Sequence, residues 1–251
     1  MNQAGPGLNM DPNEIIYSGC DCTTPSCDQN CPCIQRFGAS YTQEGKVILQ
    51  PCEDLAKDKT DMMTKPVVEC NSSCRCSSDC INRVVQNGIL HKLQVFKSDR
   101  KGWALRALEP ILSNSFVCEY AGEILPFDEA KQRTKSLTKD DMNYILVVRE
   151  TVHKGEVIKT YIDPTHIGNV GRFINHSCSP TLFQVIARVE NEIPRVALFT
   201  RKDIKAYEEL TYSYWGDRHD TGDSVDRHLR KPCLCRSVGC TGFLPVDSTL
   251  F

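Results

Sequence analysis

Apolar and polar positions alternate over strand lengths through the middle of the chain. Leu93-Gln-Val-Phe-Lys-Ser, Trp103-Ala-Leu-Arg-Ala-Leu, Phe116-Val-Cys-Glu-Tyr-Ala, Tyr144-Ile-Leu-Val-Val-Arg and Val196-Ala-Leu-Phe-Thr alternate or run apolar, which predicts β-strands. Pro110, Asn114, Gly122, Gly155, Pro164, Gly168 and Pro194 punctuate them. One helix is predicted from Phe127 to Leu137, entered after Pro126, with Asp128 and Glu129 in the first turn where the helix dipole favours acid. A second, short helical turn covers Val170 to Asn175. Many short strands with few helices make a β-dominated fold the expectation. No apolar run reaches the roughly 20 residues of a membrane helix, and residues 1–7 lack the basic and apolar regions of a secretory signal. Neither a membrane nor an oxidising compartment is therefore expected.

Composition changes the picture at one residue type. The chain has 251 residues, 40% hydrophobic and 25% charged, with a formal net charge of −2 and 15 cysteines. Thiols stay reduced in the cytosol and nucleus, so a disulfide framework is excluded there and metal binding becomes the leading use. Ten cysteines precede residue 81, three fall in the last 19 residues, and only Cys118 and Cys178 lie between.

The N-terminal group is Cys20-x-Cys22-x4-Cys27-x3-Cys31-x-Cys33, then Cys70-x3-Cys74-x-Cys76-x3-Cys80 after a polar stretch, with Cys52 alone in between as a free thiol. Zinc takes four tetrahedral ligands and favours thiolates. Nine cysteines make two such sites with one left over, or three sites if three thiolates bridge. The tight Cys-x-Cys pairs favour three. Cys233-x-Cys235-x4-Cys240 leaves a further zinc one ligand short, and Cys178 is the candidate to complete it, which would fold the tail back onto the body. Thirteen thiolates add −13 and four zinc ions +8, moving the net charge from −2 to −7. An acidic protein without a run of Lys and Arg suits a basic partner, and no direct nucleic-acid binding is expected.

Three clusters resist explanation as packing alone. Gly168-Asn-Val-Gly-Arg-Phe-Ile-Asn-His-Ser-Cys brings Arg172, Asn175 and His176 together. Glu208-Glu-Leu-Thr-Tyr-Ser-Tyr-Trp predicts Tyr212 and Tyr214 on one face of a strand. Tyr120 adds a third phenol.

Taken together, Gly-Arg-Phe-Ile-Asn-His-Ser-Cys followed by Glu-Glu-Leu-Thr-Tyr-Ser-Tyr resembles the SET-domain protein lysine methyltransferases, with pre-SET-like and post-SET-like cysteine groups in the order of the histone H3 lysine-9 branch. Asn82-Arg-Val-Val-Gln-Asn-Gly, Val95-Phe-Lys and Leu229-Arg-Lys-Pro-Cys also resemble the SET part of SET–transposase fusions. The resemblance implies a SET fold of small curved sheets with a pseudoknot, flanked by zinc-stapled modules. It divides the chain into a flexible extension 1–15, pre-SET 16–91, SET 92–216, a linker 217–228, post-SET 229–245 and a tail 246–251. It implies three zinc ions in the pre-SET part and one in the post-SET part.

By the same resemblance, S-adenosylmethionine would lie against Lys101, Gly102, Trp103, Tyr144, Arg172, Phe173, Asn175 and His176. Tyr214 would orient the target amine, Tyr120 would line the channel, and Tyr212 would stand at the position that limits methylation to one or two groups. The implied substrate is a histone H3 tail, lysine 9 favoured and lysine 36 next, in the nucleus on chromatin. The alternative is a catalytically weak SET protein that binds a histone tail or another partner. Three positions depart from the family pattern: Ala104 and Thr181 where Gly and Asn are usual, and Ser213 where Asp is usual.

Overall fold

The computed structural model describes residues 2–23, 25–49, 65–138, 141–151, 156–215, 230–245 and 248–250. Cys52, the 217–228 linker and parts of the 246–251 tail lie outside them. In chain order the strands are β1 (Gln3–Ala4), β2 (Val67–Val68), β3 (Leu93–Ser98), β4 (Gly102–Ala107), β5 (Phe116–Tyr120), β6 (Glu123–Leu125), β7 (Leu146–Thr151), β8 (Val157–Asp163), β9 (Asn175–His176), β10 (Leu182–Arg188), β11 (Arg195–Thr200) and β12 (Glu209–Tyr212). Among the described residues two α-helices accompany them, α1 (Pro32–Phe37) and α2 (Phe127–Ser136).

The predicted strands and the main helix are present within two residues of their expected ends. The turn at Val170–Phe173 is a 3₁₀ turn whose entry is capped by the Asn169 side chain accepting from the Gly171 N–H. Several elements go beyond the prediction. β10 buries both Leu182 and Phe183 before it alternates, β8 begins exposed at Val157 and Ile158, and α1 is a six-residue helix started by Pro32.

The strands form three four-stranded sheets, ordered β1-β6-β8-β7, β2-β10-β11-β5 and β3-β4-β12-β9. β9 runs parallel to β12, pairing Asn175 with Thr211 and His176 with Tyr212. Parallel strands need a long crossover. Here residues 177–208 loop out through the second sheet and return, which delivers the β9 segment to the end of β12. The principal core joins all three sheets: Leu105, Val117, Tyr120, Ile162, Ile174, Leu182, Leu198 and Leu210 are buried together. Each such side chain contributes roughly 1.5–3 kcal/mol relative to exposure.

A second apolar cluster welds the cysteine-rich part to this body. Tyr41, Val47, Val67 and Val85 pack against Phe116, Phe183 and Phe199. The buried Glu69 carboxylate sits at that junction and accepts from the Tyr41 hydroxyl (2.7 Å) and the Val84, Val85 and Gln86 backbone N–H groups. A buried carboxylate so satisfied orders the turn around it.

The first residues depart from the expected flexible extension. β1 adds in parallel to β6, the Asn2 side chain accepts from the Gly122 N–H, and Asn191 donates to the Pro12 and Glu14 carbonyls. Exposed sheet edge and buried Asn191 give this polar segment backbone partners, which its composition alone does not reveal. Among the described residues, no helix is long and apolar enough to cross a membrane.

Candidate active site and metal centres

Three phenols converge where β5 and β12 meet. Tyr120 and Tyr212 have ring centroids 5.9 Å apart, and Tyr212 and Tyr214 are 5.0 Å apart. Tyr120 donates its hydroxyl to the Tyr144 carbonyl at 2.6 Å, and Tyr214 donates to the Ile174 carbonyl at 3.3 Å. Tyr214 is not on the strand, contrary to the alternation argument: β12 ends at Tyr212 because the next backbone N–H groups leave the ladder, and the Tyr214 N–H is taken by His176 Nδ1 at 3.2 Å. The two rings nevertheless meet. Burial holds all three phenols well above the ordinary tyrosine range, so they remain protonated.

The tyrosines line a cavity of about 430 Å³, together with Tyr144, Arg172 and Ile174. Its far wall is built from Lys231 and Pro232, near the C-terminal cysteines. Leu146, Val147 and Arg149 of β7 also border it, and β7 is an edge of its sheet. Lys231 Nζ reaches across to the Asp141 carbonyl.

A second group lies behind the 172–176 segment. Lys101 Nζ donates to both oxygens of Glu209 at 2.6 Å, and Asn175 Nδ2 donates to the Trp103 carbonyl (3.1 Å) and to Glu209 Oε1 (3.4 Å). The Trp103 side chain is 59% exposed, and Gly102 (φ +73°) has open space where a Cβ would stand. Arg172 stacks over the Tyr144 ring at 4.7 Å and the Phe173 ring at 5.7 Å, and its Nη1 donates to the Thr165 carbonyl. Arg172 Nε is buried with no hydrogen-bond partner among the described residues. An exposed indole, an open glycine and an orphaned guanidinium nitrogen fit a ligand carrying a planar ring and polar acceptors. Both nitrogens of the His176 ring are engaged inside the protein, which leaves the ring none for a ligand. Burial holds this imidazole neutral, its pKa lowered to about 4.

Glu209 is the functional candidate that the motif reading missed. Its carboxylate is adjacent in sequence to the quoted Glu208, but its partner Lys101 lies 108 residues away and the pairing of β12 with β4 brings their segments together. Of the three departures from the family pattern, Ala104 is fully buried. Thr181 exchanges hydrogen bonds with Thr211, donating and accepting through its hydroxyl and N–H. The Ser213 carbonyl accepts from Gln184 Nε2.

The cysteines gather as their spacing predicts. Among the described residues, four sets of four Sγ atoms lie within 4.8 Å of one another: Cys20, Cys33, Cys70 and Cys74; Cys20, Cys27, Cys70 and Cys76; Cys20, Cys22, Cys27 and Cys31; and Cys178, Cys233, Cys235 and Cys240. Zinc–sulfur bonds of about 2.3 Å at tetrahedral angles place sulfurs about 3.8 Å apart. Cys20 and Cys27 are 3.8 Å apart, Cys27 and Cys70 3.6 Å, Cys33 and Cys74 3.8 Å, and Cys178 and Cys233 3.9 Å. Cys20 belongs to all three pre-SET sets and Cys27 and Cys70 to two each, so these three thiols stand where one sulfur could serve more than one ion. Cys80 Sγ accepts from the Cys27 N–H and joins the same cluster. Further N–H groups from Asn71, Asn82 and Arg83 reach the sulfurs of Cys74, Cys70 and Cys76, as donors to thiolates do. These sets could hold zinc.

Comparison with known proteins agrees with this architecture. Residues 102–215 match the SET domain and residues 7–83 the Pre-SET motif. The histone-lysine N-methyltransferase SETMAR of Mus musculus is 44% identical over 255 residues, covering 99% of this chain and 80% of that protein. The protein of the same name from Homo sapiens is 45% identical over 254 residues, 98% of this chain and 36% of that protein. The crystal structure of the methyltransferase domain of human SETMAR superposes with a TM-score of 0.81 at 41% identity, covering 98% of this chain and 87% of that one. KRYPTONITE in complex with mCHH DNA, an H3(1–15) peptide and SAH superposes with a TM-score of 0.70 at 28% identity, covering 97% and 46% of the two chains.

Proposed function

The chain belongs to the SET-domain histone-lysine N-methyltransferases, and from that membership we propose that it transfers methyl groups from S-adenosylmethionine to a lysine of the histone H3 tail, adding one or two. Lysine 9 is the favoured target and lysine 36 the next, which puts the protein on chromatin in the nucleus. The convergence of Tyr120, Tyr212 and Tyr214 on one cavity, directly beside the Arg172–His176 segment, carries the reading.

S-adenosylmethionine supplies the methyl group on a sulfonium. Lys101, Gly102, Trp103, Tyr144, Arg172, Phe173, Asn175 and the His176 backbone would hold it, with the exposed Trp103 ring and the orphaned Arg172 Nε as the open partners. Glu209 would set the Lys101 ammonium and the Asn175 amide in place for it.

The remaining work falls on the channel. A lysine amine has a pKa of about 10.4 in water and, while protonated, has no lone pair for attack. Burial among three neutral phenols disfavours its charged form by desolvation. The three tyrosines stay protonated and none can act as the base, so the amine's proton leaves to water before attack. Tyr214, anchored through its hydroxyl to Ile174, would orient the neutral amine. Tyr212, packed between the other two rings, would restrict the space for a third methyl. The strand β7 borders the cavity at the edge of its sheet, and an edge strand suits a substrate peptide in extended form. Zinc would staple both ends, three ions on the nine pre-SET thiolates with Cys20, Cys27 and Cys70 bridging, and one on Cys178, Cys233, Cys235 and Cys240.

The test is mass spectrometry of recombinant histone H3 after incubation with zinc-loaded protein and S-adenosylmethionine, with Tyr214→Phe alongside. Methylation of one lysine, lost in the variant, is the expected result. An unmodified tail with cofactor binding intact would move the weight to another protein substrate.

A further inference from the structure

His176 occupies an unusual place between the two working parts of the molecule. Its Nδ1 accepts the Tyr214 backbone N–H at 3.2 Å, which puts the imidazole proton on Nε2. That Nε2 lies 3.4 Å from Cys178 Sγ, one of the four sulfurs of the C-terminal set. The ring is buried, 5.3 Å from the Tyr214 ring, and its backbone is pinned on β9 against Tyr212 of β12. Tyr214 is thus held at two points by one short segment: its hydroxyl by the Ile174 carbonyl and its N–H by His176.

We infer that His176 is a positioning residue that couples the post-SET metal site to Tyr214. The inference deepens the proposed function and rests on it, taking Tyr214 as the amine-facing phenol and the four sulfurs as a zinc site. A thiolate on zinc accepts an N–H donor, and such donors orient metal ligands and tune their affinity. The Nε2–H group of His176 is placed to be that donor. With Cys178 held by metal, the ring is fixed, and the ring fixes the Tyr214 backbone. With Cys178 released, the ring loses one of its two restraints and the Tyr214 N–H its fixed acceptor. Loss of the post-SET ion then disturbs the reacting end of the lysine channel through the imidazole, in addition to opening the far wall of the cavity.

Two substitutions separate the two hands of the ring. In His176→Asn the amide oxygen stands in for Nδ1 but the side chain is too short to reach Cys178. In His176→Gln the amide nitrogen stands in for Nε2 and the Nδ1 acceptor is gone. Zinc-loaded protein is mixed with a chromophoric chelator to follow the most labile ion, and hydrogen exchange is read at the Tyr214 amide.

The Asn variant is expected to lose that ion about ten- to a hundredfold faster while keeping the Tyr214 amide protected in saturating zinc. The Gln variant is expected to retain the ion and lose amide protection, with kcat down about ten- to a hundredfold and the cofactor KM little changed. Cys178→Ser, which leaves the ring intact, should expose the same amide when its zinc departs. Equal behaviour of the two His176 variants, or an amide still protected in Cys178→Ser, overturns the coupling. The chelator and exchange readouts need no turnover. A wild-type protein silent on histone H3 therefore sinks the proposed function and leaves this test standing.

Discussion

Tyr212 and Tyr214 show how differently two like residues two positions apart can be held. Tyr212 is buried at the end of β12 between the Tyr120 and Tyr214 rings, with its backbone still in the ladder. Tyr214 has left the ladder and is fastened by Ile174 and His176. Removing the Tyr212 hydroxyl frees space without disturbing the Tyr214 anchors, so Tyr212→Phe is expected to shift products towards the trimethyl state. A product series on a lysine peptide that is unchanged by the substitution would contradict this. The phenols also shape the pH dependence. Their pKa values are raised by burial, so each stays neutral from acid through the ordinary tyrosine range. The rate should therefore climb with pH as the substrate amine deprotonates, with no falling limb from tyrosine ionisation below about pH 10. A descending limb near pH 8 would mean that one phenol ionises. At this scale the cysteine groups and the tyrosine cluster were legible as groupings, because their residues are concentrated in short strings. Glu209 was not. A lone carboxylate gains meaning only from Lys101, which sequence distance hides and sheet pairing supplies.

Between residues and the whole lie elements whose positions depend on a few polar anchors. Arg133 of α2 donates to Glu123 of β6, to Asp163 of β8 and to Glu129 one turn back, all at 2.8 Å. The Asp163 side chain is only 2% exposed, and its other oxygen takes the Thr165 N–H, while the Thr165 carbonyl receives Arg172. One guanidinium on α2 thereby supports Arg172, the arginine proposed to hold the cofactor. Arg133→Ala would leave buried carboxylates unpaired and should cost about 3–5 kcal/mol, with a raised cofactor KM in whatever fraction remains folded. Thermal melting and a cofactor titration check the two parts separately, and a loss under 1 kcal/mol would show the network to be dispensable.

The turn before β12 carries the opposite kind of feature. Tyr207 has φ +66°, a left-handed conformation that disfavours a side chain, and its ring is exposed over Arg106. Tyr207→Gly should stabilise by about 1 kcal/mol and raise Tm by roughly 2–4 °C. No gain would mean that the Arg106 contact offsets the backbone cost. Strand and helix positions were read from alternation because each buries one face. The docked N-terminal segment and the Tyr207 conformation were not, since both are set by partners distant in sequence.

Across the whole molecule the two metal regions differ in how they are built in, and this makes their loss separable. Most of the pre-SET cysteines are buried, and the module is joined to the second sheet by the β2–β10 pairing, the Tyr41–Phe199 cluster and the Glu69 carboxylate. The four post-SET cysteines are each half-buried, three of them on a tail with little core of its own, fastened to the body through Cys178. Chelator access and local opening both favour the second site, since regions with few buried contacts open at low cost. Chelation of zinc-loaded protein should therefore release about one ion quickly, with loss of methyl transfer and little change in the melting temperature. The remaining three should leave slowly and together, because bridging thiolates tie the ions to one another, and their departure should unfold the residues packed around Glu69. Following zinc release, activity and melting on one sample decides it: four ions leaving in a single phase would make the molecule one cooperative metal-dependent unit, and the separation drawn from burial would fail.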